Sequence, residues 1–111
     1  MAKLDTYRTH IENLLKEYSS YQPSYGDIKV HPIFDREQGH YQLLNVGWHG
    51  HKRIFGCVLH LDIIDGKIWI QHDGTDIGIA NELVALGIPK EDIVLAFHAP
   101  SMRKYTEFAV A

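Results

Sequence analysis

The chain has 111 residues, 45% of them hydrophobic, with 11 Lys+Arg against 14 Asp+Glu and a formal net charge of −3. That length holds one domain, residues 1–111, and the composition is that of a globular chain rather than a disordered one. The charge balance argues against the strongly basic surface of a general nucleic-acid binder, and the lone Cys57 excludes a disulfide framework or a multi-cysteine zinc site.

Leu4, Tyr7, Ile11, Leu14, Leu15 and Tyr18 recur at three- and four-residue steps, which predicts a first helix with one apolar face. Ser19 to Pro23 should end it, because Pro23 cannot continue a helix. The stretch before it, Met1-Ala2-Lys3-Leu4-Asp5, lacks a signal-peptide apolar core, and no apolar run nears a membrane span; a cytoplasmic protein without membrane contact is expected.

Four strand-like runs follow: Ile28 to Phe34, Tyr41 to Trp48, Arg53 to Ile64 and Lys67 to His72. Pro32 cannot donate to a ladder, so the first run belongs at a sheet edge. Asp65-Gly66 is the strongest hairpin signal, since a type I′ turn needs positive φ at both positions. Counting outward from this turn pairs Ile63 with Ile68, Leu61 with Ile70 and Leu59 with His72 on one face, and Asp62 with Trp69 and His60 with Gln71 on the other. Counting from a Trp48–Arg53 pair joins Val46 to Phe55 and Leu44 to Cys57 on the apolar face, where a buried Cys57 acts as a small hydrophobe. The same count sets Tyr41 against His60 and Leu43 against Val58 on the other face.

Thr75 and Asp76 suit the start of a second helix, with Ile77, Ala80, Leu83, Val84 and Leu86 as its buried side and Gly87 as its stop. Ile93 to Phe97 reads as a short strand or buried coil, and the apolar end of the chain should dock on its own domain or on a partner. The expected architecture is α+β: an N-terminal helix, a four-stranded antiparallel β-meander, a second helix packed on one sheet face and a short C-terminal segment.

Tyr41, Leu43, Val58, His60, Asp62, Trp69 and Gln71 form the predicted partner or oligomer interface, a face mixing apolar, aromatic and polar groups. His60 and Asp62, two apart on a strand, point the same way; with a third ligand from His72, His40 or His31 they could hold a metal for catalysis, against the simpler reading of a polar surface pair. His49 and His51 flank Gly50 in what reads as a polar turn. Lys52, Arg53, Arg103 and Lys104, with those two histidines, are candidates for a local basic patch that contacts DNA directly, against the simpler reading of scattered solvated charges. His72-Asp73-Gly74-Thr75 reads as turn and cap. The sequence contains no nucleophile motif and no phosphate-binding loop, so neither catalytic residues nor a cofactor is expected.

The run His40-Tyr41-Gln42-Leu43-Leu44-Asn45-Val46-Gly47-Trp48, then His60-Leu61-Asp62-Ile63 with Asp65-Gly66-Lys67-Ile68-Trp69-Ile70-Gln71, then Ile79-Ala80-Asn81-Glu82-Leu83, Gly87 to Leu95 and the closing Phe108-Ala109-Val110-Ala111, together resemble the XisI family of fdxN element excision controlling factors. The resemblance covers nearly the whole chain in order. It implies a small, non-enzymatic accessory factor of cyanobacteria and some other bacteria, required in the family's type system for excision of a DNA element during heterocyst development, in which a separate recombinase exchanges strands. It also implies an XisH-like protein as partner. A homo-oligomer that meets nucleic acid only indirectly fits this reading.

Overall fold

The computed structural model describes residues 2–21 and 26–111. Helix α1 spans Ala2–Ser19. It buries Tyr7, Ile11, Leu14 and Leu15, the stripe its apolar spacing predicts. The proposed terminator Pro23 lies outside the described residues. Strands β1 (Asp27–Asp35), β2 (His40–His49), β3 (Lys52–Ile64) and β4 (Lys67–Asp73) follow as an antiparallel meander. β1 pairs only with β2, so Pro32 stands on an edge strand as its missing donor requires. The β3–β4 turn has positive φ at both Asp65 and Gly66, the type I′ geometry.

The sheet has five strands rather than four. After α2 (Ile79–Ala85) and a single 3-10 turn, Ile93–Leu95 forms β5, parallel to β4. A parallel neighbour needs a crossover, and α2 supplies it. The tail then bridges beyond β5: Ala109 N–H donates to Ile93 O at 2.9 Å, and Val94 pairs with Ala109. One sheet edge therefore carries a proline and the other is covered by the tail, two common ways of blunting an edge.

Helix α2 starts later than Thr75. Its cap residue is Gly78, with φ 90°, and the side chain that organises the entry is Asp73. Asp73 accepts from Ile79 N–H (2.9 Å), Thr75 N–H (2.9 Å) and the Thr75 hydroxyl (2.6 Å). With the helix begun at Ile79, Ile77 is exposed rather than buried, and Leu86, beyond its last turn, is exposed too. The stop at Gly87 is as predicted: Ile88 N–H reaches Leu83 O and Gly87 N–H reaches Val84 O, the paired bonds of a Schellman motif.

Two bulges set the register. From Trp48↔Arg53 to Leu44↔Cys57 the β2–β3 pairs run as counted from the sequence, but the next pair is Leu43↔Leu59. Val58 is the extra residue. Its carbonyl accepts from Gly74 N–H at 2.8 Å, so the group the ladder leaves unpaired is satisfied by the β4–α2 loop. A second shift, between His60 and Leu61, pairs His60 with His72 and leaves Gln71 as the extra residue. His60 and His72 are thus backbone neighbours, and the expected Leu59–His72 and His60–Gln71 pairs do not form.

A one-residue slip exchanges the faces of a strand. Tyr41 and Leu43, predicted at an interface, are fully buried core residues with Leu59, Leu61, Ile68 and Ile70, and Val58 packs against that core. Phe34 meets Tyr41 with ring centroids 5.8 Å apart. Cys57, predicted to be buried, is exposed on the other face.

Polar ties hold α1 to the rest. Arg36 of the β1–β2 loop meets Glu12 at 2.8 Å, the Tyr18 hydroxyl donates to Glu82 of α2, and Tyr7 and Lys3 (2.8 Å) both meet Asp92 before β5. Burial would raise the Asp92 carboxyl, but the Lys3 ammonium and the Tyr7 hydroxyl outweigh it and hold it below the usual carboxylate range.

A carboxyl depressed in the folded state contributes stability above its unfolded pKa and loses it as pH falls through the folded one. Urea unfolding should therefore show wild type more stable than Asp92→Asn above about pH 5, with the gap closing as pH drops below about 4. A constant gap across that range would refute the assignment. Tyr41→Phe should leave stability unchanged or raise it by about 1–3 kcal/mol, because the buried Tyr41 hydroxyl has no hydrogen-bond partner among the described residues. A loss of stability in the same urea assay would contradict the placement.

Candidate functional site

With Tyr41, Leu43, Leu59 and Leu61 turned toward the helices, alternation puts Leu44, Val46, Trp48, Phe55, Cys57, His60 and Asp62 on the opposite face. Large apolar groups there remain in water: Phe55 is 66%, Trp48 49% and Ile33 48% exposed. Arg53 lies between Trp48 and Phe55, its guanidinium 5.1 Å from one ring centroid and 6.0 Å from the other. Cys57 stands in this patch. Burial pushes its thiol pKa up, and the weak hydrogen bond to Leu59 O (3.3 Å) does not reverse that. A raised thiol is the opposite of an activated nucleophile.

Farther along the same face the groups turn polar. His40 at the start of β2 stands directly across from Asp62. His40 Nδ1 lies 2.8 Å and His60 Nε2 2.9 Å from the same carboxylate oxygen, Asp62 Oδ1. Gln71 Nε2 donates to the other oxygen, Oδ2, at 3.2 Å, and the Gln42 amide lies 3.4 Å from His60 Nδ1. Asp62 is the one buried charged side chain among the described residues, at 6% exposure, and these contacts satisfy it. The carboxylate, first by hydrogen bond and then by charge, raises the His40 imidazole pKa. The cluster borders a 400 Å³ cleft with Ile33 and Asp35.

Of the predicted interface residues, the structure brings His60, Asp62 and Gln71 together on the open face. It sends Tyr41, Leu43 and Val58 to the core side. Trp69 is on the open face but half-buried, because Arg103 lies over it at 5.4 Å. Of the three candidates for a third ligand beside His60 and Asp62, His40 joins; His72 and His31 lie outside the group.

The predicted basic patch does not assemble. Arg53 stands nine residues from Asp62 along β3, roughly 30 Å at strand rise, whereas Arg103 stacks on Trp69, the partner of Asp62. Arg103 also donates to the carbonyls of His98 (3.1 Å), Ala96 (3.3 Å) and Val110 (3.4 Å), so its charge is spent on holding the tail. Lys104 lies over the Tyr105 ring at 5.3 Å, and Lys52 is exposed at the β2–β3 turn with His49 and His51. A second cleft, of 860 Å³, lies on the core side between the end of α1 and residues 74–77, lined in part by Tyr18, Asn45, Val58 and Thr75.

The outward apolar set, exposed Trp48 and Phe55 with half-buried Val46 and Leu44, escapes sequence reasoning because a straight ladder buries it. His40 and Asp62 face each other only once the extra residue Val58 is counted, so a straight count from the turn misses the pair.

The family model for the XisI protein matches residues 1–110. A crystal structure of a XisI-like protein from Anabaena variabilis ATCC 29413 is similar at 49% identity, covering 97% of this chain and 99% of that one, with a TM-score of 0.91. A second crystal structure, of the fdxN element excision controlling factor XisI from the same organism, is similar at 40% identity over 98% and 99% of the two chains, with a TM-score of 0.85. Among curated proteins none matches.

Arg103 acts as the strap of the tail. Arg103→Ala, placed in a Trp48→Phe background, should shift Trp69 emission to the red and speed proteolysis after Lys104, with helical circular dichroism unchanged. An unshifted emission maximum would show that the tail is held by other contacts.

Proposed function

The chain belongs to the XisI family, and from that premise we propose that it is a non-enzymatic accessory factor in control of DNA-element excision, acting through protein contacts with an XisH-like partner. The relative at 40% identity is an fdxN element excision controlling factor, which supports the excision role. The observation that carries the contact mechanism is the open sheet face. Phe55, Trp48 and Ile33 stand about half or more exposed beside Leu44 and Val46, on a sheet whose other face carries the hydrophobic core. Aromatic and arginine side chains in one patch are what interface centres are enriched in, and Arg53 between the two rings supplies the arginine.

The partner interface is accordingly the Trp48–Phe55 end of the open face, with His60 and Gln71 toward its rim, rather than the set centred on Tyr41 and Leu43. Self-association into a homo-oligomer uses the same face. Any effect on nucleic acid then runs through the partner, in keeping with the net charge of −3 and the separation of Arg53 from Arg103.

Trp48→Glu and Phe55→Glu are expected to cut co-purification with an XisH-like protein by at least about tenfold, as loss of a central aromatic anchor does, while the circular dichroism spectrum is preserved. Light scattering of the same variants should report a smaller mass if the face also joins copies of the chain. Capture and mass both equal to wild type would refute the assignment.

A further inference from the structure

We propose that His40, His60 and Asp62 form a binding site for a divalent transition-metal ion on the open face of the sheet. Their ligand atoms, Nδ1, Nε2 and Oδ1, lie within 4.8 Å of one another. The two ring nitrogens converge from different strands on a single carboxylate oxygen, at 2.8 and 2.9 Å. A tetrahedral ion at about 2.0–2.1 Å from each donor needs donors about 3.3 Å apart. The two nitrogen–carboxylate pairs must open by a few tenths of an ångström, and the two imidazole nitrogens, within 4.8 Å of each other, must settle to that same spacing, a movement the exposed His40 ring can supply.

The surroundings match a built site rather than a chance pair. The Asp62 carboxylate is buried, and its remaining oxygen is held by Gln71. His60 has the Gln42 amide at its second nitrogen, and the amide oxygen, once turned inward, accepts the N–H that a metal-bound imidazole must place. Asp62 and His60 thus each have an orienting neighbour. Two imidazoles and one carboxylate favour Zn²⁺, Co²⁺ or Ni²⁺ over Mg²⁺ and Ca²⁺, which prefer all-oxygen sets. Three protein donors leave a coordination position toward the adjoining cleft for water or for a donor from a docked protein. The ion would tie β2 to β3 on the far side of the Val58 bulge. The site does not depend on the excision reading.

The experiment uses tag-free full-length chain, stripped with chelator and titrated with Zn²⁺ and with Co²⁺. The expected result is one equivalent per chain, tetrahedral d–d absorption for Co²⁺, and shifts of the His40 and His60 ring resonances with those of His31, His49 and His51 unmoved. Millimolar Mg²⁺ should not compete. Removing the exposed ligand in His40→Gln, a variant expected to fold, should weaken Zn²⁺ binding by well over tenfold, and Gln71→Ala, which removes an orienting neighbour, by about 10–100-fold. Binding as tight in His40→Gln as in wild type, movement of the loop histidines instead, or less than half an equivalent bound would each overturn the site.

Discussion

The bulge at Val58 is the constraint on which the rest of the structure depends. In a straight β2–β3 ladder continued from Trp48↔Arg53, Asp62 would face position 39, where Gly39 stands. The extra residue moves His40 there instead. The cost of a bulge is a broken ladder and an unpaired carbonyl, and here that carbonyl is taken up by Gly74 N–H. Gly74 is suited to the approach: a Cβ on it would lie 2.9 Å from the Val58 oxygen. The bulge, the β4–α2 loop and the entry of α2 are therefore one mechanical unit, with Asp73 organising the loop from within.

The bulge also divides the sheet into two halves with different faces. Beyond it, toward the Asp65-Gly66 turn, the side chains sort as a straight hairpin count from that turn predicts: Leu61, Ile63, Ile68 and Ile70 toward the helices, Asp62 and Trp69 away. Before it, toward the β2–β3 turn, the apolar set Leu44, Val46 and Phe55 faces outward, while Asn45, Gly47 and Gly56 take the helix side. Small residues there have a separate reason. A Cβ on Gly47 would lie 2.1 Å from Asp27 O, so β1 can cross β2 closely only over glycine. The end of the sheet where β1 approaches most tightly is thus the end whose outer face is richest in exposed apolar side chains.

What could be read from the sequence was what local chemistry decides. The α1 stripe, the type I′ turn at Asp65-Gly66, the edge position of Pro32 and the stop at Gly87 each rest on a few neighbouring residues whose conformational preferences agree. What could not be read was set by distant partners. Val58 and Gln71 carry no sequence mark of a bulge, and each register counted from its nearest turn was right until the bulge was crossed. Thr75 is a good cap in isolation, but Asp73 holds Thr75 for the loop, and the helix begins at Ile79. A three-residue strand such as Ile93–Leu95 is too short for periodicity to distinguish, and only its parallel fit beside β4 makes it a strand. The histidines follow the same rule. His60 and Asp62 are aligned by strand period alone, whereas His40 reaches them only through a register that no local signal announces.

The two regions of the open face then differ in kind. The Trp48–Phe55 end presents apolar area that water leaves uncompensated, with one cation bound to the rings rather than to a carboxylate. The Asp62 end presents a buried charge already satisfied by two histidines and a glutamine, beside Trp69 under its arginine strap. A protein that docks across the face would gain its burial energy at the first end, because displacing water from apolar surface is favourable there without breaking existing bonds. At the second end it would meet groups fixed in direction by hydrogen bonds, which select orientation more than they add affinity. Strands β2 and β3 both run through these two ends, and the residue that turns both sets outward together is Val58. On that single inserted position the geometry couples an adhesive surface to an orienting one.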